Sequence, residues 1–323
     1  MPVRSLSLLL LAAQSRILVG GQAVIEGVMM RVPGSYAVAV RNPKGEIQTR
    51  YHDFTSLVER SRWMKPPIVR GVVHLFEALK LGIATLNWSA EVAYPEETAG
   101  KGSASSVVTT IFAFGLALLL FFIAPLWITT RLIQLEQQAL GFNLVSGAIR
   151  IAFFLLYLGL ISLVKDVKRL FQYHGAEHKT VYAFETGQPL TIESTHDFPT
   201  QHPRCGTSFI FIVLIAAILA FALIDTVVMA FAGRISLGLR LMVHLPLIPV
   251  VAGIGYEALK ITAKYQHLAL FRWMSLPGIW LQYITTKRPD DDQVSVALES
   301  LKVAFGDQLS EVEGQQYVAD AIA

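Results

Sequence analysis

The stretch from Val107 to Ile128, VVTTIFAFGLALLLFFIAPLWI, decides the fold class because it contains no charged residue. A helix needs about 20 predominantly apolar residues to cross the roughly 30 Å hydrocarbon core of a bilayer. Three later stretches have similar length, although each is interrupted by charge, and we predict them as further spans: 144–164, 207–231 and 237–258. The last contains Pro246 and Pro249, so a buried re-entrant segment is its alternative interpretation.

The composition of the whole chain agrees with a membrane protein. Hydrophobic residues make up 53% of the 323 residues and charged residues 16%, and the mean hydropathy is +0.50. A typical soluble domain is about 25% charged, so an ordinary cytosolic enzyme or a disordered chain is disfavoured. The net charge of +3 and the lack of a basic block argue against nucleic acid as a partner, whereas the long apolar stretches predict a lipid bilayer. Protein partners and oligomeric state stay open.

The distribution of Lys and Arg predicts the orientation in the membrane. Nearly all of the 27 basic residues precede the first span, follow the last one, or lie between the second and third, whereas only Arg131 and Arg234 fall in the two opposite loops. Basic residues accumulate in short cytoplasmic loops. We therefore expect a multi-pass protein of the cytoplasmic (inner) membrane, with both termini and the 165–206 loop in the cytoplasm.

These considerations divide the chain into an N-terminal part, a membrane part and a C-terminal part. Tyr36, Val38 and Val40 alternate with alanines before an Asn42–Gly45 turn, which predicts a β-hairpin. The predicted fold is an α-helical integral membrane protein of about four transmembrane helices with a small α+β cytosolic N-terminal region. The predicted segments are an apolar extension at 1–16, the α+β region at 17–106 with an amphipathic helix at 68–90, the transmembrane region at 107–258, and a cytosolic segment at 259–323 containing another amphipathic helix from Val294 to Phe305.

The pentad His174-Gly-Ala-Glu177-His178 is the strongest candidate for chemistry. Residues i and i+4 share one face of a helix, so both imidazoles can reach one metal ion. In H-x-x-E-H sequences the glutamate is a general base, which gives Glu177 that role here. The alternative is a solvated helix with two surface histidines.

A second pair, His202 and Cys205, precedes the third span. Both are zinc ligands, although Cys205 can also be a small buried apolar residue. The topology delivers both pairs to the cytoplasmic side. A straight helix from Val164 would carry His174 about 15 Å beyond the membrane, so the pairs meet only if the helix breaks near Lys165 or bends at Gly175. His196 and Asp197 are spare ligand candidates in the same loop.

Three other ionisable residues are weaker candidates. Glu26 lies in a glycine-rich run and can be a ligand, a base or a surface acid of a strand. Glu257 is at the cytosolic end of the fourth span, where an interfacial ion pair with a lysine is the alternative. His244 lies deeper in the membrane, and ionisable residues there are functional candidates by default. Arg150, Asp225 and Arg240 have similar estimated depths and predict a structural Arg–Asp pair.

Several of these segments together resemble the YqhQ-like family, also called domain of unknown function 1385. The similarity extends from about Ile17 to Phe305, and its most specific parts are His-Gly-Ala-Glu-His-Lys and His-Pro-Arg-Cys-Gly. Members are described as predicted metal-dependent enzymes, so the resemblance implies a membrane protein that depends on a metal, without a settled reaction. The resembling segments are Gly20 to Arg31, Arg70-Gly71, His174 to Lys179, His202 to Phe209, Pro277-Gly278 and Thr285-Thr286.

The leading hypothesis is a membrane protein with a cytosolic divalent-metal site, zinc being the expected ion. His174 and His178 would be ligands, with His202 or Cys205 completing the set, and the expected reaction is hydrolysis of an unknown substrate. One alternative is a non-catalytic scaffold or assembly factor with a structural metal, which four protein ligands would favour. Another is a transporter or accessory subunit, for which His244 is the chief polar residue on a possible path.

Overall fold

A computed structural model describes residues 19–98, 103–265 and 268–317. The predicted extension at 1–16 lies outside the described residues. The described chain is mostly helical and also contains a four-stranded antiparallel sheet near its N-terminus.

The sheet consists of two consecutive hairpins in the strand order β1-β2-β3-β4. The predicted hairpin is β3–β4. Asn42 stabilises its turn, because its Oδ1 accepts hydrogen bonds from the backbone N–H groups of Lys44 and Glu46. The glycine-rich run forms the other hairpin, in which Glu26 occupies the turn with φ 50°. The strands are β1 (Gly20–Val24), β2 (Gly27–Val32), β3 (Ser35–Arg41) and β4 (Ile47–Asp53).

Among the described residues, four helices are long and apolar enough to cross a membrane, and each overlaps one of the predicted spans, although the second ends at Ile161 instead of at residue 164. The fourth is continuous over 28 residues although it contains Pro246 and Pro249. The first continues after Leu118 to Ile133 through two π-helical turns, which are separated by the α-helical turn Ala124–Ile128. These helices are α2 (Ser103–Leu118, extended to Ile133), α3 (Ala139–Ile161), α5 (Gly206–Ala232) and α6 (Leu237–Lys264). Between α3 and α5 lies helix α4 (Lys165–Glu185).

The remaining long helices lie outside these spans. Helix α1 (Val69–Ala93) corresponds to the predicted amphipathic helix, and α4 (Lys165–Glu185) carries the histidine pentad. The C-terminal amphipathic helix is α8 (Asp291–Phe305), whose first turn is closed by a capping box between Asp290 and Gln293. Helix α7 (Ala269–Thr285) was not predicted as a separate element. The described residues also form single-turn α-helices at Leu57–Arg60, Pro95–Thr98, Ile192–Thr195 and Leu309–Val312, and 3-10 turns at Arg62–Met64 and Gly306–Gln308.

Helices from distant parts of the chain cover both faces of the sheet. Side chains alternate between the faces of a strand, so Met30 and Met29 of β2 enter different cores. Met30 packs with α4 and α8, through residues such as Phe184 and Leu301, whereas Met29 packs with Ala93 of α1. The N-terminal sheet is therefore part of one packed unit with the 165–206 loop and the C-terminal segment.

A separate hydrophobic core, distinct from the two on the faces of the sheet, joins the membrane-like helices. Phe122 of α2, Phe142 of α3, Phe221 of α5 and Val251 of α6 are buried together. The chain leaves this bundle between Ile161 and Lys165, where Val164 has an extended conformation. Helix α3 thus ends at Ile161, and α4 is a separate helix packed on the sheet.

Candidate metal centre

Three of the four predicted metal ligands converge at the start of α5. His174 Nε2 lies 3.2 Å from Cys205 Sγ, and one ligand atom from each of His174, His178 and Cys205 lies within 4.8 Å of the other two. His178 and Cys205 are buried, whereas His174 is partly exposed. The structure therefore contains a possible metal-binding group of two imidazoles and one thiol.

Backbone carbonyls orient both imidazoles. Nδ1 of His174 is 2.8 Å from the Thr285 carbonyl oxygen, and Nδ1 of His178 is 2.5 Å from that of Thr200. A carbonyl only accepts, so each Nδ1 carries the proton and donates it. The lone pair of each ring is then at Nε2, which leaves that nitrogen free to bind a metal ion. Metal-ligating histidines are usually held by a hydrogen bond from the other ring nitrogen to a carbonyl or carboxylate oxygen. The orientation of His174 and His178 therefore fits the binding of a divalent metal ion.

Gly175 allows the approach of the segment that supports His174. A Cβ atom at Gly175 would lie 2.1 Å from the Lys287 carbonyl oxygen, so no side chain fits there. Lys287 N–H in turn donates to the Phe171 carbonyl at 2.8 Å, which holds the end of α7 along α4. Gly175 does not bend α4, which is continuous from Lys165 to Glu185. The break before Lys165 is what brings the two pairs to the same place.

Cys205 occupies the N-cap position of α5. Its Sγ accepts from the backbone N–H of Thr207 at 3.4 Å and lies 3.2 Å from the Thr207 hydroxyl. The positive end of the helix dipole favours negative charge at this position. The first N–H groups of α5 therefore face the sulfur, which is the atom through which cysteine binds zinc.

Glu177 lies beside the metal group but outside it. Its side chain is buried, and Oε2 is 3.4 Å from His178 Nε2. Burial raises the pKa of the Glu177 carboxyl, and the neighbouring His174 partly opposes this effect, as does the backbone N–H of Gly21. A Cβ at Gly21 would come within 3.0 Å of Glu177 Cγ, so glycine at position 21 leaves room for the carboxylate.

His202 does not join the metal group. Its Nε2 is 3.4 Å from Glu185 Oε2, and its Nδ1 accepts the backbone N–H of Arg204. Gln282 bonds both backbone groups of His202, at 2.7 and 2.9 Å. Burial lowers the pKa of His202 to about 4, so the ring is neutral at neutral pH. Of the two residues expected to complete the set, Cys205 is in place and His202 instead contributes to a hydrogen-bond network with the Arg204–Glu185 ion pair.

A cavity of about 340 Å³ opens beside the metal group. Strand β1, helix α4 and the first turns of α5 form its walls. His174, Glu177, His178 and Cys205 all line it, so a small molecule in the cavity would contact both the metal group and the glutamate.

Glu26 and Glu257 form ion pairs away from the metal group. Glu26 binds the Arg169 guanidinium through both carboxylate oxygens, and Glu257 binds that of Arg70 in the same way. The partner of Glu257 is thus an arginine of α1 instead of the lysine considered from sequence. Of the two spare ligands, His196 pairs with Asp291 at 3.0 Å on the surface, and neither His196 nor Asp197 belongs to the metal group.

His244 belongs to a buried polar network inside the helix bundle. Asp225 accepts hydrogen bonds from Arg240 Nε at 2.9 Å and Asn143 Nδ2 at 2.7 Å, and its other oxygen is 2.8 Å from His244 Nε2. The expected Arg–Asp pair is therefore Arg240–Asp225. Arg150 instead lies over the ring of Phe122, with Cζ 5.1 Å from the ring centroid.

No sequence pattern points to the groups that hold the histidines in place. Thr200 and Thr285 act through backbone carbonyls, and Gln282 is 80 positions from its partner His202. Backbone acceptors have no side-chain signature, and only the fold brings them to α4.

Comparisons with known proteins place this chain in a family. A family described as "Protein of unknown function (DUF1385)" matches residues 66–307. The "Uncharacterized protein YqhQ" of Bacillus subtilis (strain 168) is 34% identical over 301 residues, which cover 87% of this chain and 90% of that protein. No solved structure matches. The extent of both similarities means that this chain belongs to the DUF1385, or YqhQ-like, family.

Proposed function

We propose that this chain is a multi-pass protein of the inner membrane that holds a divalent metal ion, zinc in the first place, at its cytoplasmic face and uses it in hydrolysis. The observation that carries this proposal is the convergence of His174 Nε2, His178 and Cys205 Sγ beside a cavity. His174, His178 and Cys205 are the ligands, and Glu177 is the general base.

The donor set supports zinc more than a hard cation. Imidazole nitrogen and thiolate sulfur are the ligands zinc prefers, whereas calcium and magnesium take oxygen. Catalytic zinc sites commonly use three protein ligands and keep one position open. Three ligand atoms converge in the described part of the chain, and the cavity lies on their open side.

The chemistry divides between the ion and Glu177. When bound, a divalent ion at this site supplies a Lewis acid. Glu177 can accept a proton at its carboxylate from a molecule in the cavity, because its side chain lines the cavity beside the metal group. The Gly21 N–H orients the carboxylate, and the Glu177 side chain is buried.

The position of the site in the chain supports a cytoplasmic location. Helix α4 begins four residues after the second span, and Cys205 immediately precedes the helix of the third. The segment between these spans belongs to the basic side of the protein, which the positive-inside rule assigns to the cytoplasm.

Two other functions receive less support. A scaffold with a structural metal would need a fourth protein ligand, and His202 is engaged with Glu185 and Arg204 instead. A transporter would need an accessible polar path, whereas His244 is fully buried and bonded to Asp225.

The test is the metal content of the purified protein in mild detergent, measured for wild type, His174→Ala, Cys205→Ser and the control His196→Ala. His196 lies in the same loop but pairs with Asp291 on the surface. We expect about one zinc or similar ion per chain in wild type and in the control, and loss in the other two variants. A wild-type protein without metal, or equal content in all four proteins, would refute the proposal.

A further inference from the structure

The cavity beside the metal group touches a membrane-spanning helix. Ile210 lines the cavity and also belongs to the third span, Phe209–Ala232, where its side chain is 42% exposed. Leu170 also lines the cavity and lies five residues into α4, about 8 Å from the start of that helix at 1.5 Å per residue. Leu163 and Val164, which lead into α4, are exposed apolar residues. The cavity is therefore within reach of the bilayer surface.

The walls of the cavity combine polar and apolar side chains. Its polar side chains are those of the metal group, Glu177, Gln22, His202, Arg204 and Thr207, whereas its apolar side chains are those of Val19, Ala23, Leu170, Phe171, Val181 and Ile210. A ligand that fits both parts has a polar group at the histidines and an apolar group toward Ile210.

The size of the cavity limits how much of such a ligand it can hold. A volume of about 340 Å³ is near the lower end of the roughly 300–1,000 Å³ range of small-molecule sites. A head group and a few methylene groups fit, but a long acyl chain does not. The rest of the chain must leave the cavity, and beside Ile210 it would enter hydrocarbon instead of water.

We propose that the ligand of this site is an amphiphile of the inner leaflet. Its head group carries a carbonyl or anionic oxygen that reaches the metal group, and its chain passes Ile210 into the bilayer. This inference rests on the metal site proposed above and adds the substrate class. If the proposal holds, Ile210 determines the affinity for ligands that carry an acyl chain and has little effect on ligands that lack one.

The experiment uses the full chain in lipid nanodiscs, loaded with Co²⁺ so that ligand binding changes the visible spectrum. The probes are dodecanoyl hydroxamate and acetohydroxamate, which share a chelating head group and differ in chain length. Ile210→Trp places a large ring in the proposed path of the chain. Ile215→Trp is the matched control, because Ile215 is also exposed on α5 but does not line the cavity.

We expect Ile210→Trp to raise the apparent dissociation constant of dodecanoyl hydroxamate about tenfold, the effect of displacing roughly two methylene groups. Acetohydroxamate should change less than about twofold in either variant, as should dodecanoyl hydroxamate in Ile215→Trp. Equal effects of Ile210→Trp on both probes, or no effect on the long one, would overturn the amphiphile proposal while leaving the metal site intact. A wild-type chain that takes up no Co²⁺ would overturn both proposals.

Discussion

His174 and Cys205 are 31 positions apart in the chain, yet His174 Nε2 lies 3.2 Å from Cys205 Sγ. Two features of the backbone produce this contact. The chain turns between Ile161 and Lys165, so α4 packs on the sheet, and α5 begins directly after Cys205. The contact therefore depends on both the membrane-like bundle and the sheet, and damage to either should affect the site.

Gly21→Ala should destabilise the protein, whereas Gly20→Ala should not. A Cβ at position 21 would lie 2.4 Å from the Met29 carbonyl oxygen and close to Glu177, but none of the described atoms lies within 4 Å of a Cβ at position 20. Overpacking of this kind typically costs about 1–3 kcal/mol. Denaturant unfolding in mild detergent measures the difference, and equal stability of the two variants would contradict the tight packing at Gly21.

Asp225→Ala should destabilise the helix bundle strongly. It would leave Arg240 and His244 buried without their shared carboxylate. Removing one partner of a buried ion pair costs about 3–5 kcal/mol. Thr226→Ala is the neighbouring control, because that hydroxyl only bonds the Ala222 carbonyl of its own helix. SDS-induced unfolding of the two variants makes the comparison, and similar midpoints would mean that the network contributes little.

His202 should make the protein less stable at acidic pH. The pKa of His202 falls from its ordinary 6.5 to about 4 through burial. Between these values the unfolded chain binds a proton that the folded chain does not, so stability is lost as pH falls from about 6.5 to about 4. At 1.36 kcal/mol per unit the loss is about 3 kcal/mol.

His202→Gln removes this contribution, so the free energy of unfolding of wild type minus that of the variant should fall over the same pH interval. Subtraction cancels groups that titrate alike in both proteins. A difference that does not vary with pH would show that His202 titrates normally.

The proposed orientation predicts which surfaces can be labelled from each side. In a Cys205→Ser background, Lys44→Cys lies in the exposed β3–β4 turn and Arg234→Cys between α5 and α6. A membrane-impermeant maleimide should label Arg234→Cys on intact cells and Lys44→Cys only after permeabilisation. The reverse pattern would invert the topology and place the metal group outside.

Patterns within one segment predicted the fold best. The spans follow from long apolar runs, and the β3–β4 hairpin follows from alternation before an Asn-Pro-Lys-Gly turn. The first hairpin lacks such a pattern, since its strand begins with two glycines and its turn uses Glu26 at positive φ. Helix α7 contains Pro277-Gly278, a pair that usually interrupts helices, and its packing on α5 compensates for this.

The candidate site could be predicted only in part. The spacing of His174 and His178 places both on one helical face, but it cannot distinguish His202 from Cys205 as the third member. That choice depends on Glu185 and Gln282, which engage His202 from other segments. Glu177 remains a prediction as the base, supported by its position beside His178.

X-ray absorption of the zinc-loaded protein tests the central claim most directly. If His174, His178 and Cys205 share one ion, wild type should show one sulfur at about 2.3 Å and nitrogen or oxygen neighbours at about 2.0–2.1 Å. The sulfur should disappear in Cys205→Ser. A wild-type shell of nitrogen and oxygen alone, or a shell unchanged by Cys205→Ser, would contradict the account.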